Sequence, residues 1–229
     1  MSRHAKASLA ACLASVIGFA VVASLAFGGG TWAGRDAHLL SRLSAPGQPT
    51  GLADLIVRLG DPPAQLALVA LAVAVAFAAG RRRWLLPALL AVGAADLTTQ
   101  ALKGAFGDPR LAPVLGWEQI GANSFPSGHM TAMVATSLAF ALVVPRRWRP
   151  ATLVIGAVLS LVVGWSVIAL RRHFPSDVIG GALVATAWFF ALLTVWLRKE
   201  EGERGREARP RPGDRSAAPG AGSPPAQPL

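Results

Sequence analysis

Tyrosine is absent from this 229-residue sequence, cysteine occurs once, lysine three times, and only 15% of the residues are charged. A single thiol, Cys12, cannot close an internal disulfide, which excludes a disulfide-stapled scaffold. Inside its apolar run it reads as a small hydrophobe. Charged residues make up roughly a quarter of an average soluble domain, so their scarcity excludes an ordinary soluble enzyme. A hydrophobic share of 53% and a mean hydropathy of +0.47 exclude a disordered chain. Without tyrosine, the polar-tipped aromatics near the ends of apolar runs are tryptophans (Trp32, Trp84, Trp117, Trp148 and Trp196), positions that an aromatic belt at a membrane surface explains.

What the chain does have is apolar runs of spanning length. Six can be marked, at 7–27, 64–80, 84–102, 129–144, 151–170 and 178–197. At about 1.5 Å per residue each covers most or all of a ~30 Å hydrocarbon core. They lack the alternation of a barrel strand, and lipid tolerates only helices or closed barrels. The expected fold is therefore an all-α, polytopic bundle of six transmembrane helices formed by residues 1–197. The first run is longer than a signal-peptide core, so it is read as a helix that stays. Between the first two runs, 36–43 and 52–59 are short amphipathic stretches suited to an interface. Residues 198–229, rich in Arg, Glu, Pro and Gly, read as a disordered cytoplasmic tail.

The formal net charge is +10. The cations do not form a stripe that would fit a nucleic-acid groove; they sit in clusters between apolar runs, as in Arg81–Arg83 and Arg146–Arg149. With six spans these clusters, the Arg3/Lys6 end and the basic tail share one face, which the positive-inside rule makes cytoplasmic, together with both termini. No nucleic-acid partner is expected; membrane lipids are. The loops at 28–63, 103–128 and 171–177 then face the extracytoplasmic side.

Two of those outer loops carry a polar set that topology does not explain. One holds Lys103, Arg110 and the run Ser124-Phe125-Pro126-Ser127-Gly128-His129; the other holds Arg171-Arg172-His173-Phe174-Pro175-Ser176-Asp177. Ionisable groups gathered at span ends mark a functional site. Lys103 and Arg110 offer fixed positive charge for phosphate oxygens. Ser127 stands at a helix N-cap, and Gly128 lets an anion approach the helix amides. Asp177, four residues after His173, can hold that imidazole in one tautomer for nucleophilic attack, and His129 can protonate a leaving oxygen. Arg172 reads as a headgroup contact. Asp96, with Gln100 and Lys103 on the same helix face, either steadies Lys103 or bonds a neighbouring helix. Gly180 and Gly181 suit close helix packing.

These residues resemble the type 2 phosphatidic acid phosphatases, integral-membrane relatives of the vanadium haloperoxidases. The family pattern has three parts. Its Lys, six residues, Arg-Pro is met by Lys103 and Arg110, with Leu111 in place of Pro. Its Pro-Ser-Gly-His is met in full by Pro126, Ser127, Gly128 and His129. Its Ser-Arg, five residues, His, three residues, Asp is met by Ser166, His173 and Asp177, with Val167 in place of Arg. The resemblance implies a phosphatase that needs no metal or cofactor. It assigns His173 as nucleophile, Asp177 as its orienting group and His129 as acid, with Lys103, Arg110, Ser127 and Gly128 holding phosphate. Positions 167 and 171 are four apart, so on a continuing helix Arg171 would lean back into the place of the missing guanidinium.

The expected function is hydrolysis of a lipid phosphate or pyrophosphate on the extracytoplasmic face of the cell membrane. Polyprenyl (pyro)phosphate, phosphatidylglycerophosphate and phosphatidic acid are the candidate substrates. The alternatives are a phosphotransferase and, given Val167 and Leu111, a catalytically impaired relative that binds lipid as a scaffold. The oligomeric state is not legible.

Overall fold

The computed structural model describes residues 1–29, 31–44, 51–107, 110, 112–116 and 120–207, which form only helices and turns. The long helices are α1 (Arg3–Phe27), α4 (Pro62–Ala78), α5 (Leu85–Ala105), α6 (Gly128–Val143), α7 (Arg149–Ala169) and α8 (Pro175–Glu207), one for each apolar run. Between α1 and α4 the amphipathic stretches become α2 (Thr31–Leu43) and α3 (Gly51–Val57). Five of the long helices are long and apolar enough to cross a membrane, α6 when counted with the 3-10 turn Ala122–Ser124 that precedes it. The sixth, α4, has 17 residues, or roughly 25 Å at the usual rise. It joins α3 and a 3-10 turn (Arg58–Gly60) across a 53° bend, and as one broken span the pair brings the crossings to six.

Local signals explain most boundaries. The Ser2 hydroxyl accepts from the Ala5 amide at 3.2 Å and starts α1. Pro62 and Pro63 occupy the first turn of α4, where missing N–H groups cost nothing. Ser127 caps α6 through the Met130 amide at 3.4 Å. The end of α8 departs from the expected boundary. The helix continues ten residues beyond Leu197, to Glu207, because its polar extension supplies its own partners. Glu200 receives Arg204 one turn on at 3.4 Å and Arg83 of the α4–α5 turn at 3.6 Å, and Glu201 receives the Ser2 amide at 3.1 Å. The remainder of the expected tail, 208–229, lies outside the described residues.

Helix α6 is the axis of the bundle, packed by α4, α5, α7 and α8, while α1 lies against α8. Ala72, Ala76, Ala88, Ala139 and Val143 are buried in the core at one end. Leu13, Ile17, Leu66, Leu97, Leu161 and Val195 are exposed on the outside, where lipid tails are as good a solvent as another leucine. Small residues let the helices close up. A Cβ on Gly181 of α8 would stand 2.4 Å from the Ser127 carbonyl oxygen and 3.1 Å from Thr131 Oγ1. That approach holds the start of α6 against the start of α8.

The start of α1 and the polar extension of α8 lie at one end of this bundle. The Met1 amino group is 3.8 Å from Glu201, and Arg81 of the α4–α5 turn donates to the Leu142 carbonyl at 3.0 Å. Leu142 and His129 are 13 residues apart on α6, so the clustered arginines and the two histidine loops occupy opposite ends, roughly 20 Å apart. Gly181→Ala is expected to lower stability by about 1–3 kcal/mol, the usual cost of overpacking. In detergent it should depress the thermal midpoint, whereas Gly202→Ala, with open space around its Cβ position, should not.

Candidate active site

Two turns, 50 residues apart in sequence, are sewn together at the histidine end. The Ser127 amide donates to the Asp177 carbonyl at 3.0 Å. The Thr131 hydroxyl reaches both the Ser127 carbonyl at 3.0 Å and the Gly181 carbonyl at 3.1 Å, and accepts from Thr99 of α5 at 3.0 Å. Ser127 is fully buried. Its hydroxyl oxygen accepts from the Met130 amide, which leaves the O–H to donate, and the turn also offers an anion the opening amides of α6. Lys103, in the last turn of α5, reaches the same spot. Its Nζ would be 3.6 Å from a Cβ placed on Gly128, so a side chain there would crowd the cation. On α5, Gln100 donates to Asp96 at 3.4 Å, which ties Asp96 to the Gln100–Lys103 face of its own helix.

The second turn begins where α7 stops, at Ala169. Arg171 turns the chain at φ +52°, and the amides of Arg172 and His173 fold back onto the Val167 carbonyl at 2.9 and 3.3 Å. Asp177, third residue of α8, reaches back to the Phe174 amide at 2.9 Å in a capping-box manner. The same oxygen lies 3.3 Å from His173 Nδ1. A buried carboxylate at that distance accepts a hydrogen bond from Nδ1–H, which leaves Nε2 of His173 with its lone pair.

The other oxygen of Asp177 accepts from Arg110 Nη2. Arg110 Nη1 donates to Ser176 Oγ at 2.8 Å and to Asp36 of α2 at 3.1 Å. Rings surround this guanidinium, with Phe174 4.1 Å and Phe27 5.1 Å from Cζ. Asp36 also receives the Ser176 amide at 3.1 Å and its hydroxyl at 2.6 Å. Burial pushes the Asp36 carboxyl above the ordinary carboxylate range, and nearby Asp177 adds to this; the Ser176 hydrogen bonds and Arg110 pull the other way.

His129 stands across the gap, its ring centre 6.4 Å from that of His173. Its Nε2 is 3.1 Å from Asp61, and the preceding Gly60 packs so tightly on the ring that a Cβ there would lie 2.6 Å from Cδ2. The prolines of α4 free Asp61 for this task. As N-cap it would ordinarily accept amides of the first turn, but Pro62 and Pro63 have none to give. The site thus contains two carboxylate–imidazole pairs, Asp177–His173 and Asp61–His129. Both pairs lie at the same end of the bundle as the start of α6.

The structure therefore brings together Lys103, Gly128, His129, His173 and Asp177, and sets Arg110 directly behind Asp177. It corrects the expectation for Arg171. Helix α7 ends before 171, so the i,i+4 relation to Val167 never forms. The Arg171 side chain runs instead to Ser44 at the end of α2, with Nε 3.0 Å from Oγ and Nη2 3.2 Å from the carbonyl oxygen. Val167 itself is buried in the core. Arg172, half-exposed, faces Asp54 of α3 at 3.5 Å. Three participants escaped the sequence: Asp36, Asp61 and Ser176. Their signals were weak, an acid in an amphipathic stretch on the outer face and an Asp-Pro-Pro helix start.

Known proteins resemble this chain in sequence and in fold. The profile of the PAP2 superfamily matches residues 84–201. A lipid A 1-phosphatase of Rhizobium johnstonii is 40% identical over 72 residues, 31% of this chain and 27% of that one. A putative undecaprenyl-diphosphatase, YbjG of Escherichia coli, is 35% identical over 74 residues, 32% of this chain and 35% of that one. The matched stretches thus span about a third of these relatives or less. Among solved structures, a PAP2-type transmembrane phosphatidylglycerolphosphate phosphatase of Bacillus subtilis superposes with a TM-score of 0.68 at 22% identity, over 82% of this chain and 96% of that one. LpxE of Aquifex aeolicus gives 0.56 at 20% identity, over 69% and 93%. These two likenesses show a shared fold.

The placement of the arginines makes a contrast that can be measured. Arg171→Ala should leave turnover within about threefold of the unaltered protein, the scale of a change away from a site. Arg110→Ala strands the buried Asp36 and Asp177 without their cation, and should cost roughly 3–5 kcal/mol of stability. Phosphate release and thermal midpoints on the two variants decide it.

Proposed function

Because the chain belongs to the PAP2 superfamily, we propose that it is a membrane phosphatase that hydrolyses a lipid phosphate or lipid pyrophosphate, releasing inorganic phosphate through a phosphohistidine. The observation that supports this most directly is the pair of imidazoles 6.4 Å apart, each backed by a carboxylate, beside a lysine at a helix N-terminus. The chemistry follows from the free nitrogens. His173 Nε2 attacks phosphorus, and the bond to the lipid oxygen breaks. The leaving oxygen takes a proton from His129, and Asp177 stabilises the imidazolium formed at His173. Water then attacks the phosphohistidine and gives its proton to His129, which releases inorganic phosphate and restores both rings. Lys103 and the Gly128 amide hold the equatorial oxygens. Asp61 supplies the counter-charge when His129 is an imidazolium, and its exposed side links that ring to bulk water.

Arg110 serves chiefly to hold Asp177. A phosphate oxygen that displaces Asp36 from Nη1 would meet the same guanidinium, an exchange that the raised proton affinity of Asp36 makes easier. The substrate class rests on the relatives, named for lipid A 1-phosphate, undecaprenyl diphosphate and phosphatidylglycerol phosphate. What those share is phosphate at the end of a lipid, and a polyprenyl carrier is the reading we favour. The clustered arginines at the opposite end support a cytoplasmic location for both termini and an extracytoplasmic site. One observation favours a second reading: Val167 is buried, and Arg171 is turned away. With one cation fewer, the protein would bind lipid phosphate without turning it over.

A panel of lipid phosphates in detergent, read by phosphate release, separates the two readings, since binding without release on every lipid selects the second. For the phosphatase, His173→Ala should remove both turnover and the acid-labile phosphoenzyme, while His129→Ala should slow release by roughly 10²–10⁴. Turnover should survive EDTA, and clear inhibition by the chelator would contradict the two-histidine mechanism.

A further inference from the structure

The end of the bundle remote from the histidines contains a cavity of about 680 Å³, within the range of ligand sites. Its walls include Arg83, Trp84, Arg146, Arg149, Glu200 and Glu201. The two acids are already engaged: Glu200 with Arg83 and Arg204 at 3.6 and 3.4 Å, Glu201 with the Met1 amino group at 3.8 Å. Arg146 and Arg149 have no carboxylate partner among the described residues. Arg149 Nη2 shares the Leu142 carbonyl, at 3.3 Å, with Arg81 at 3.0 Å. Two donors in the wall are more telling. Trp84 is 7% exposed, and among the described residues neither its Nε1 nor Nε of Arg149 finds an acceptor. A buried donor left so costs about 1–3 kcal/mol. The guanidiniums of Arg81, Arg83 and Arg149 ring the Trp84 indole at 5.8, 5.4 and 6.0 Å, which fixes the cluster in place. Burial and the neighbouring charges of Arg83 and Arg146 lower the proton affinity of Arg81, the mark of cations crowded without enough counter-charge.

We propose that this cavity is a second anion site, which holds the phosphate of a phosphodiester headgroup between Arg146, Arg149 and the Trp84 indole N–H. Positive-inside topology accounts for arginines at this end, but it asks only that they reach water or headgroups at the surface. It gives no reason for an indole N–H and a guanidinium N–H buried in a cavity wall. Both N–H groups lie just behind the cavity surface, out of contact with water, and a phosphodiester that shifts the wall side chains aside brings them several acceptor oxygens and the missing negative charge. The turns that frame the cavity leave the apolar helices here, beside exposed Trp148, at the depth where headgroups lie.

The full chain in detergent tests this by thermal-shift titration with short-chain phosphatidylglycerol, against phosphatidylcholine of equal chain length. Phosphatidylglycerol should raise the midpoint of the unaltered protein and, equally, of Lys103→Ala, which alters only the histidine end. Its apparent affinity should fall roughly tenfold in Arg146→Gln, which removes the charge, and in Trp84→Phe, which removes the indole N–H. Equal shifts with phosphatidylcholine, unchanged affinity in both variants, or loss of the shift in Lys103→Ala would each overturn the site. Inorganic phosphate in the same titration sorts the source. Competition with the lipid assigns the site to the phosphate ion alone, and failure to compete assigns it to the membrane headgroup.

Discussion

Asp177 is a carboxylate with no exposed surface, and the histidine end of the protein is arranged around the problem of keeping it there. Removing an ion from water costs several kcal/mol unless hydrogen bonds and opposite charge replace the water. Here one oxygen takes the Phe174 amide and the His173 imidazole, and the other takes Arg110. Arg110 brings Asp36, and Asp36 brings Ser176, so a single buried charge draws α2, the loop after α5, and the α7–α8 turn to one point. The backbone does the rest, because the Asp177 carbonyl receives the Ser127 amide and so fixes the start of α6 beside it. Orientation of the His173 ring and cohesion of the loops are consequences of one satisfied carboxylate.

The second imidazole is held by a separate device with the same logic. Asp61 is positioned by a bend in the chain and kept available by two prolines that offer no amide to compete for it. Gly60 makes room for the ring it presses on. The two carboxylate–imidazole pairs come from independent elements, so each ring is oriented without the other, as the proposed division between an attacking and a proton-moving histidine requires.

The two ends of the bundle differ in how they treat charge. At the histidine end cations are matched by buried acids and aromatic rings, and the remaining lysine faces the gap. At the other end arginines outnumber their acidic partners and crowd around Trp84. Helix α6, with Leu142 at one end and His129 at the other, connects the two and is packed on nearly every side.

The six long helices were legible because the need to bury backbone amides in lipid imposes a length and composition that a local window reveals. The same holds for His129, His173 and Asp177, whose spacing carries their chemistry. The end of α8 was not legible, since a polar extension stays helical only through partners such as Ser2 and Arg83, far away in sequence. Arg171 is the clearest case. Its distance from Val167 suits a helix turn, but the chain leaves the helix at Ala169, and the side chain finds Ser44 on another element. Asp36 and Asp61 gain meaning only from what they touch, and a one-dimensional pattern holds no record of contacts between residues 68 and 140 positions apart. Sequence determined the membrane bundle and the reactive groups, because both are written in local composition and spacing. Tertiary structure decided which acids and cations serve those groups, because that depends on which loops the packing of α6 against α8 brings together.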